Sequence, residues 1–219
     1  MGCFWPDLIT RYPKQIQAIE MWNEPNLMAE WGDVIDGGVY AGLLAVGYGV
    51  TKFLAPSIMV ISAGIAPTGF TREWAAIDDA PFLRQFLDYQ GMNYADCIGA
   101  HANGPDGVGD IHLVSQRYFD MAGRQHPICV TEFGYGLPVE GRVPEGFDWV
   151  MSHTPERQAI VLTTGLDWAR RSGYTRLVIL WNLNFDGPTS DPNAPYALMR
   201  PGQSGQTIEA IQHALKLPN

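Results

Sequence analysis

The chain reads as an α/β protein built on a parallel sheet with helices packed over it. Three observations predict this. Short runs of β-branched and apolar residues alternate with longer stretches of helical spacing. The runs recur five times without a composition break that would mark a linker. Four of the five end in polar or aromatic residues, as strands do where parallel α/β folds build their sites.

The first run covers residues 16–22, and helical spacing follows over 39–54, with Leu43, Leu44, Val46 and Val50 read as core positions. A second run, 58–62, leads into a Gly/Pro loop at 64–69 and a helix over 81–89, with Pro81 early in that helix. Asp78 and Asp79 precede it, where negative charge meets the helix dipole. Residues 97–101 form the third run and 111–122 its helix; 128–132 form the fourth run. A long Gly/Pro-rich loop then precedes a helix over 155–171, capped by Thr154. The fifth run is 176–181, with a closing helix over 206–215. Residues 1–219 are expected to form one domain.

Composition narrows the function classes. Of 219 residues, 46% are apolar and 17% charged, the make-up of a globular domain with a substantial core. A net charge of -9, with only 14 Lys and Arg, repels a phosphate backbone and argues against nucleic acid as a partner. Neutral ligands such as sugars suit this balance, because they bind through aromatic faces and uncharged hydrogen bonds. No apolar run approaches the ~20 residues that span a bilayer, so no membrane is expected. The opening MGCFWPDLIT lacks the regions of a signal peptide, and the cytoplasm is the expected location unless a targeting segment lies on a preceding part.

Alternation within the strands gives a second set of expectations. If Glu24 and Glu132 point inward at their strand ends, period two puts Ala18, Glu20 and Trp22 inside and Ile19 and Met21 toward the helices. The same count puts Ile128 and Val130 inside and Cys129 outside, while Cys97, counted from His101, falls inside. Cys97 and Cys129 are thus expected on opposite faces and unbonded, and with Cys3 they read as three free thiols. Glu20 is awkward, since an inward carboxylate needs a partner and none is evident among the strands.

The strand ends carry the chemistry. They read Trp22-Asn23-Glu24-Pro25-Asn26, His101-Ala102-Asn103, Thr131-Glu132-Phe133-Gly134-Tyr135 and Trp181-Asn182-Leu183-Asn184. Carboxylates at two separate strand ends, with an Asn and aromatic residues nearby, are what cleavage of a glycosidic bond requires. One protonates the leaving oxygen while the other attacks or steadies the anomeric carbon.

The string IEMWNEPNL resembles the fourth-strand motif of the clan of barrel glycosidases that includes glycoside hydrolase families 5 and 39, and ICVTEFGYG resembles its seventh-strand motif. The resemblance implies a partial TIM-type (β/α) barrel whose five units are equivalent to strands 4 to 8. It implies a retaining mechanism on β-linked sugars, with Glu24 as acid/base and Glu132 as nucleophile, and neither metal nor organic cofactor. Asn23 matches the residue that binds the sugar 2-hydroxyl, Trp181 the floor of the sugar subsite, and His101, more loosely, a sixth-strand polar residue near the nucleophile. Tyr135 and Trp149, on the loop after Glu132, are further candidates for sugar contact.

Blander readings stand beside these. Trp181 is also explicable as barrel packing and His101 as a structural histidine. The strands that usually bring an Arg to the nucleophile have no counterpart, so the alternative is an impaired remnant that binds carbohydrate or serves as an assembly partner. An open five-stranded face is a liability in water, and self-association through it, as a homo-oligomer, is expected.

Overall fold

A computed structural model describes residues 4–12, 14–32, 34–199 and 205–216. A short helix α1 (Phe4–Arg11) is followed by β1 (Ala18–Met21), a single turn α2 (Met28–Trp31) and α3 (Gly37–Leu54). Then come β2 (Met59–Ser62), α4 (Asp79–Asp88), β3 (Ile98–Ala102), α5 (Ile111–Met121), β4 (Ile128–Phe133), α6 (Pro155–Ser172), β5 (Thr175–Leu180) and α7 (Gln206–Lys216). All five expected βα units are present.

Local chemistry sets the boundaries. Asp36 starts α3 by accepting from the backbone N–H groups of Gly38 and Val39. Thr154 caps α6 through the Arg157 N–H, and Gly173, at φ 76°, ends it. Along α3 the buried stripe is Tyr40, Ala41, Leu44, Gly47 and Thr51, so Val46, expected in the core, is instead 70% exposed on the opposite face. Asp78 also differs from expectation. It makes no cap bond; its carboxylate takes the Thr68 and Gly69 N–H groups and the Thr68 hydroxyl, locking the loop before α4. Asp79 is buried within α4, paired with Arg117 and accepting from the Tyr118 hydroxyl at 2.9 Å.

The strands run parallel and lie in chain order. β1 pairs with β2, and β3–β4–β5 form a second ladder; bridges Ile61 to Cys97 and Ile65 to Ala100 join the two into one arc. The main core lies between this arc and the helices, with Ile19, Met21, Ile98, Ala100, Ile128 and Val130 facing them.

That arrangement corrects the expected alternation in β4. Ala100 pairs with Val130 but His101 with Glu132, so Thr131 is an extra residue and the parity reverses across it. Counting back from Glu132 therefore put Cys129 on the wrong face. Cys97 and Cys129 pack together with Ile61 on the inner side and form a disulfide. Cys3 lies outside the described residues. Glu20 likewise has the partners that seemed missing: the Gly64 N–H and the Thr131 hydroxyl, both at 2.7 Å. The same extra residue turns Thr131 toward Glu20.

Among the described residues β1 pairs only with β2 and β5 only with β4, leaving both outer edges of the arc unpaired. The inner face is correspondingly open: Ala18, Met59 and Leu177 are half-buried and Ile179 is 46% exposed. No helix among the described residues is long and apolar enough to cross a membrane.

Candidate active site

Three acids and one imidazole meet at the C-terminal ends of the strands. The turn after β1 runs through two non-glycine residues at positive φ, Trp22 at 83° and Glu24 at 39°, each at a cost of about 1–3 kcal/mol. What holds them is a set of specific bonds. The Glu24 N–H donates to the Gly64 carbonyl, the Leu27 N–H to the Glu24 carbonyl, and the buried Asn26 side chain bonds Ala66 and Ile77 on the neighbouring loop. Trp22 packs edge-on against Trp31 and donates to the Glu30 carbonyl. The turn leaves Asn23 exposed beside Glu24 and brings the Glu24 carboxylate to His101.

His101, from β3, is fully buried and central. Its Nδ1 lies 2.8 Å from Glu24 and 3.5 Å from Glu132, while Nε2 faces Glu20 at 3.9 Å. One oxygen of Glu24, one of Glu132 and one His101 nitrogen all lie within 4.8 Å of one another. Gly64 makes room for the ring, since a Cβ there would sit 2.1 Å from it. Overpacking of this kind costs about 1–3 kcal/mol.

Glu132 follows Thr131 in β4 and accepts from Asn103 Nδ2 at 2.7 Å. The Tyr196 hydroxyl, on the loop beyond β5, bonds the Asn103 carbonyl and fixes that side chain's base. Trp181 directly follows β5, half-buried, its N–H on the Phe133 carbonyl; the Trp181–Asn182 peptide bond is cis.

The electrostatics follow from crowding acids in a partly dry site. Burial pushes the Glu132 carboxyl up to about 7, aided by the charges of Glu24 and Glu20 and opposed by His101 and Asn103. Burial also raises Glu20, with His101, Thr131 and Gly64 working the other way. For His101 burial resists a charge, yet the Glu24 hydrogen bond and the negative potential of Glu132, Glu24 and Glu20 hold it above the ordinary imidazole value. Two carboxylates and an imidazole at this spacing are also a donor set a divalent cation accepts. With protons in place, the same atoms are joined by hydrogen bonds.

Of the residues singled out from sequence, Glu24, His101 and Glu132 converge, with Asn23 and Trp181 at the same strand ends. Tyr135 does not join them. It is 5% exposed, stacked on His153 at 4.0 Å, with its hydroxyl bonded by Arg157 and its carbonyl by Gln158. Trp149 packs with Phe147 and His153 on the same loop. The residues whose roles sequence reasoning missed are Asn103, which holds Glu132, and Thr131 and Gly64, which hold Glu20. Asn103 had a signal, a polar side chain two residues beyond His101; Gly64 had none beyond being a loop glycine.

No protein-family model matches the chain, and no curated protein matches it. Solved structures do. A family 39 glycoside hydrolase from the gut symbiont Bacteroides cellulosilyticus WH2 aligns over 89% of this chain and 39% of its own, at 20% identity and a TM-score of 0.60. A GH128 (subgroup II) endo-beta-1,3-glucanase from Sorangium cellulosum aligns over 98% of this chain and 77% of its own, at 16% identity and a TM-score of 0.62. The corresponding enzyme from Pseudomonas viridiflava gives 99%, 75%, 15% and 0.60. The chain thus spans 39% of the first of these and about three quarters of the other two. Its fold is a partial TIM-type barrel of the kind these glycoside hydrolases carry.

Proposed function

We propose that the chain is a retaining glycosidase acting on β-linked sugars, with Glu132 as nucleophile and Glu24 as acid/base. The observation that carries the proposal is the separation of the two carboxylates, whose nearest oxygens lie within 4.8 Å across His101. Retaining enzymes hold their carboxyl groups about 5–5.5 Å apart, whereas inverting ones leave room for a water at about 6.5–9.5 Å.

Ionised Glu132 attacks the anomeric carbon as the glycosidic bond breaks, and Glu24 gives its proton to the leaving oxygen. Glu24 then takes a proton from water, which attacks the glycosyl–Glu132 bond and releases a sugar of retained configuration. Asn23, exposed beside Glu24, supplies a donor to the sugar, and Trp181 a flat apolar surface beneath it. Asn103 holds the Glu132 carboxylate in its attacking orientation. Likeness of fold to endo-beta-1,3-glucanases supports a β-linked glucan as the first substrate to test.

Glu132→Gln and Glu24→Gln are each expected to lower hydrolysis of an aryl β-glycoside at least 10³-fold while leaving the circular dichroism unchanged. Wild-type rates in both variants would remove the assignment.

One observation favours a second reading. Among the described residues the ion-pair partner of Glu132 is His101 alone, and burial leaves that carboxyl near 7 instead of firmly ionised. In this reading the chain is an impaired remnant that binds carbohydrate or serves as an assembly partner. Saturable glycan binding without turnover at any pH from 5 to 9 would select it.

A further inference from the structure

The loop over residues 63–78, between β2 and α4, carries a tryptophan that the fold does not use. Trp74 is 73% exposed, and every other tryptophan among the described residues is at least half-buried. Its φ of 64° lies in the left-handed region, which a bulky side chain enters at a cost of about 1–3 kcal/mol. Neither burial nor local conformation accounts for Trp at this position.

The loop is nevertheless fixed, and fixed to the turn that carries Glu24. Ala76 bridges Leu27, the Met28 N–H donates to the Ala75 carbonyl, and the Ile77 N–H donates to the Asn26 carbonyl. Asn26 adds three side-chain bonds, two with Ala66 and one with Ile77, and Asp78 ties Thr68 and Gly69 at the loop's far end. Trp74 therefore keeps a set position relative to the acid. Beside it Met28, Ile35 and Ile77 form an apolar groove with Thr71 and Arg72 at its rim, the Arg72 guanidinium lying over the Phe70 ring.

The order of the strands says which part of a substrate reaches this groove. In the proposed mechanism Glu132, in β4, and Trp181, just past β5, hold the sugar whose bond breaks, and Glu24, in the turn after β1, protonates the oxygen on the far side of that bond. The groove is built from the β1 turn and the β2 loop, hence on the leaving-group side.

We propose that Trp74 is the stacking platform for leaving-group sugars of a polymeric β-linked glycan, with Thr71 and Arg72 bonding their hydroxyls. The inference rests on Glu24 being the acid, and it deepens that reading by naming a chain, cut internally, as the substrate. An exposed indole face matches the apolar face of a β-linked pyranose, and the polar rim matches its hydroxyl edge.

The test is binding, which needs no turnover. Calorimetric titration of the full chain with β-1,3-glucan, β-1,4-glucan and β-1,4-xylan hexasaccharides is compared for wild type, Trp74→Ala, Trp74→Phe and the control Phe53→Ala, whose side chain is exposed on α3. The expected result is saturable binding of at least one hexasaccharide, weakened tenfold or more in Trp74→Ala, largely kept in Trp74→Phe and unchanged in Phe53→Ala. Equal affinity of Trp74→Ala and wild type overturns the proposal. So does absence of binding to all three sugars, or a Trp74→Ala change confined to self-association. Failure of the acid assignment is read separately, from Glu24→Gln on an aryl glycoside.

Discussion

Glu132 sits where three negative groups share one imidazole, and its proton is the most informative one in the molecule. Its folded-state pKa, pushed to about 7 by burial and by Glu24 and Glu20, lies above the unfolded value of about 4.3. The neutral carboxyl thus contributes stability that is complete below about pH 4.3 and lost as pH rises through about 7. Glu132→Gln, neutral at every pH, is expected to melt above wild type at pH 8 and level with it at pH 4, which calorimetry across pH checks. The proposed chemistry needs the opposite state, so kcat/KM should fall about tenfold per pH unit below about 7. A profile flat from pH 5 to 8 would contradict that. Most of this cluster was legible in the chain as polar strand ends. Asn103 was visible as a polar strand-end residue, but its hold on Glu132 was not, because a strand-end position does not say which neighbour a side chain turns to. Tyr135 shows the converse: a loop aromatic next to a catalytic candidate found a better partner in His153.

At the level of elements, period and caps located the five strands and the five helices of the βα units to within a few residues, and missed the short helix α1 and the single turn α2. Periodicity also missed the extra residue in β4. Nothing in Ile128-Cys129-Val130-Thr131-Glu132 announces a bulge, yet it reverses the face of Cys129 and converts two expected thiols into a disulfide. The bond joins the two strands that present His101 and Glu132 and closes a segment 32 residues long. Chain-entropy reasoning assigns such a link about 3–4 kcal/mol. Cys97→Ser with Cys129→Ser is expected to lose stability of that order in denaturant titration, and equal stability would speak against the bond. Disulfides persist in oxidising compartments and are rare in a reducing cytosol. Thiol labelling of the chain from its native source therefore reports on the cytoplasmic location expected from the sequence.

Among the described residues the strands form an arc with two unpaired edges, and Ile179 and Leu177 lie on an inner face that those residues only partly cover. Exposed edges and apolar faces invite association. We propose that a second copy of the chain covers this face, giving a homo-oligomer. Light scattering at micromolar concentration is expected to return at least twice the 24.2 kDa chain mass, and a well-folded monomer would contradict it. That the strands form an arc equivalent to part of a barrel was readable only through the motif resemblance, because alternation and helix spacing are the same in open and closed parallel sheets.

As the proposed nucleophile of a double displacement, Glu132 should become bonded to the sugar during turnover. A 2-fluoro-2-deoxy-β-glucosyl fluoride traps such an enzyme at its covalent stage, and mass spectrometry of the digested protein reads where the sugar is attached. One sugar per chain is expected, on the peptide containing Glu132, and none in Glu132→Gln; a label on Glu24, or turnover of substrate with no label on either acid, would remove Glu132 as the nucleophile.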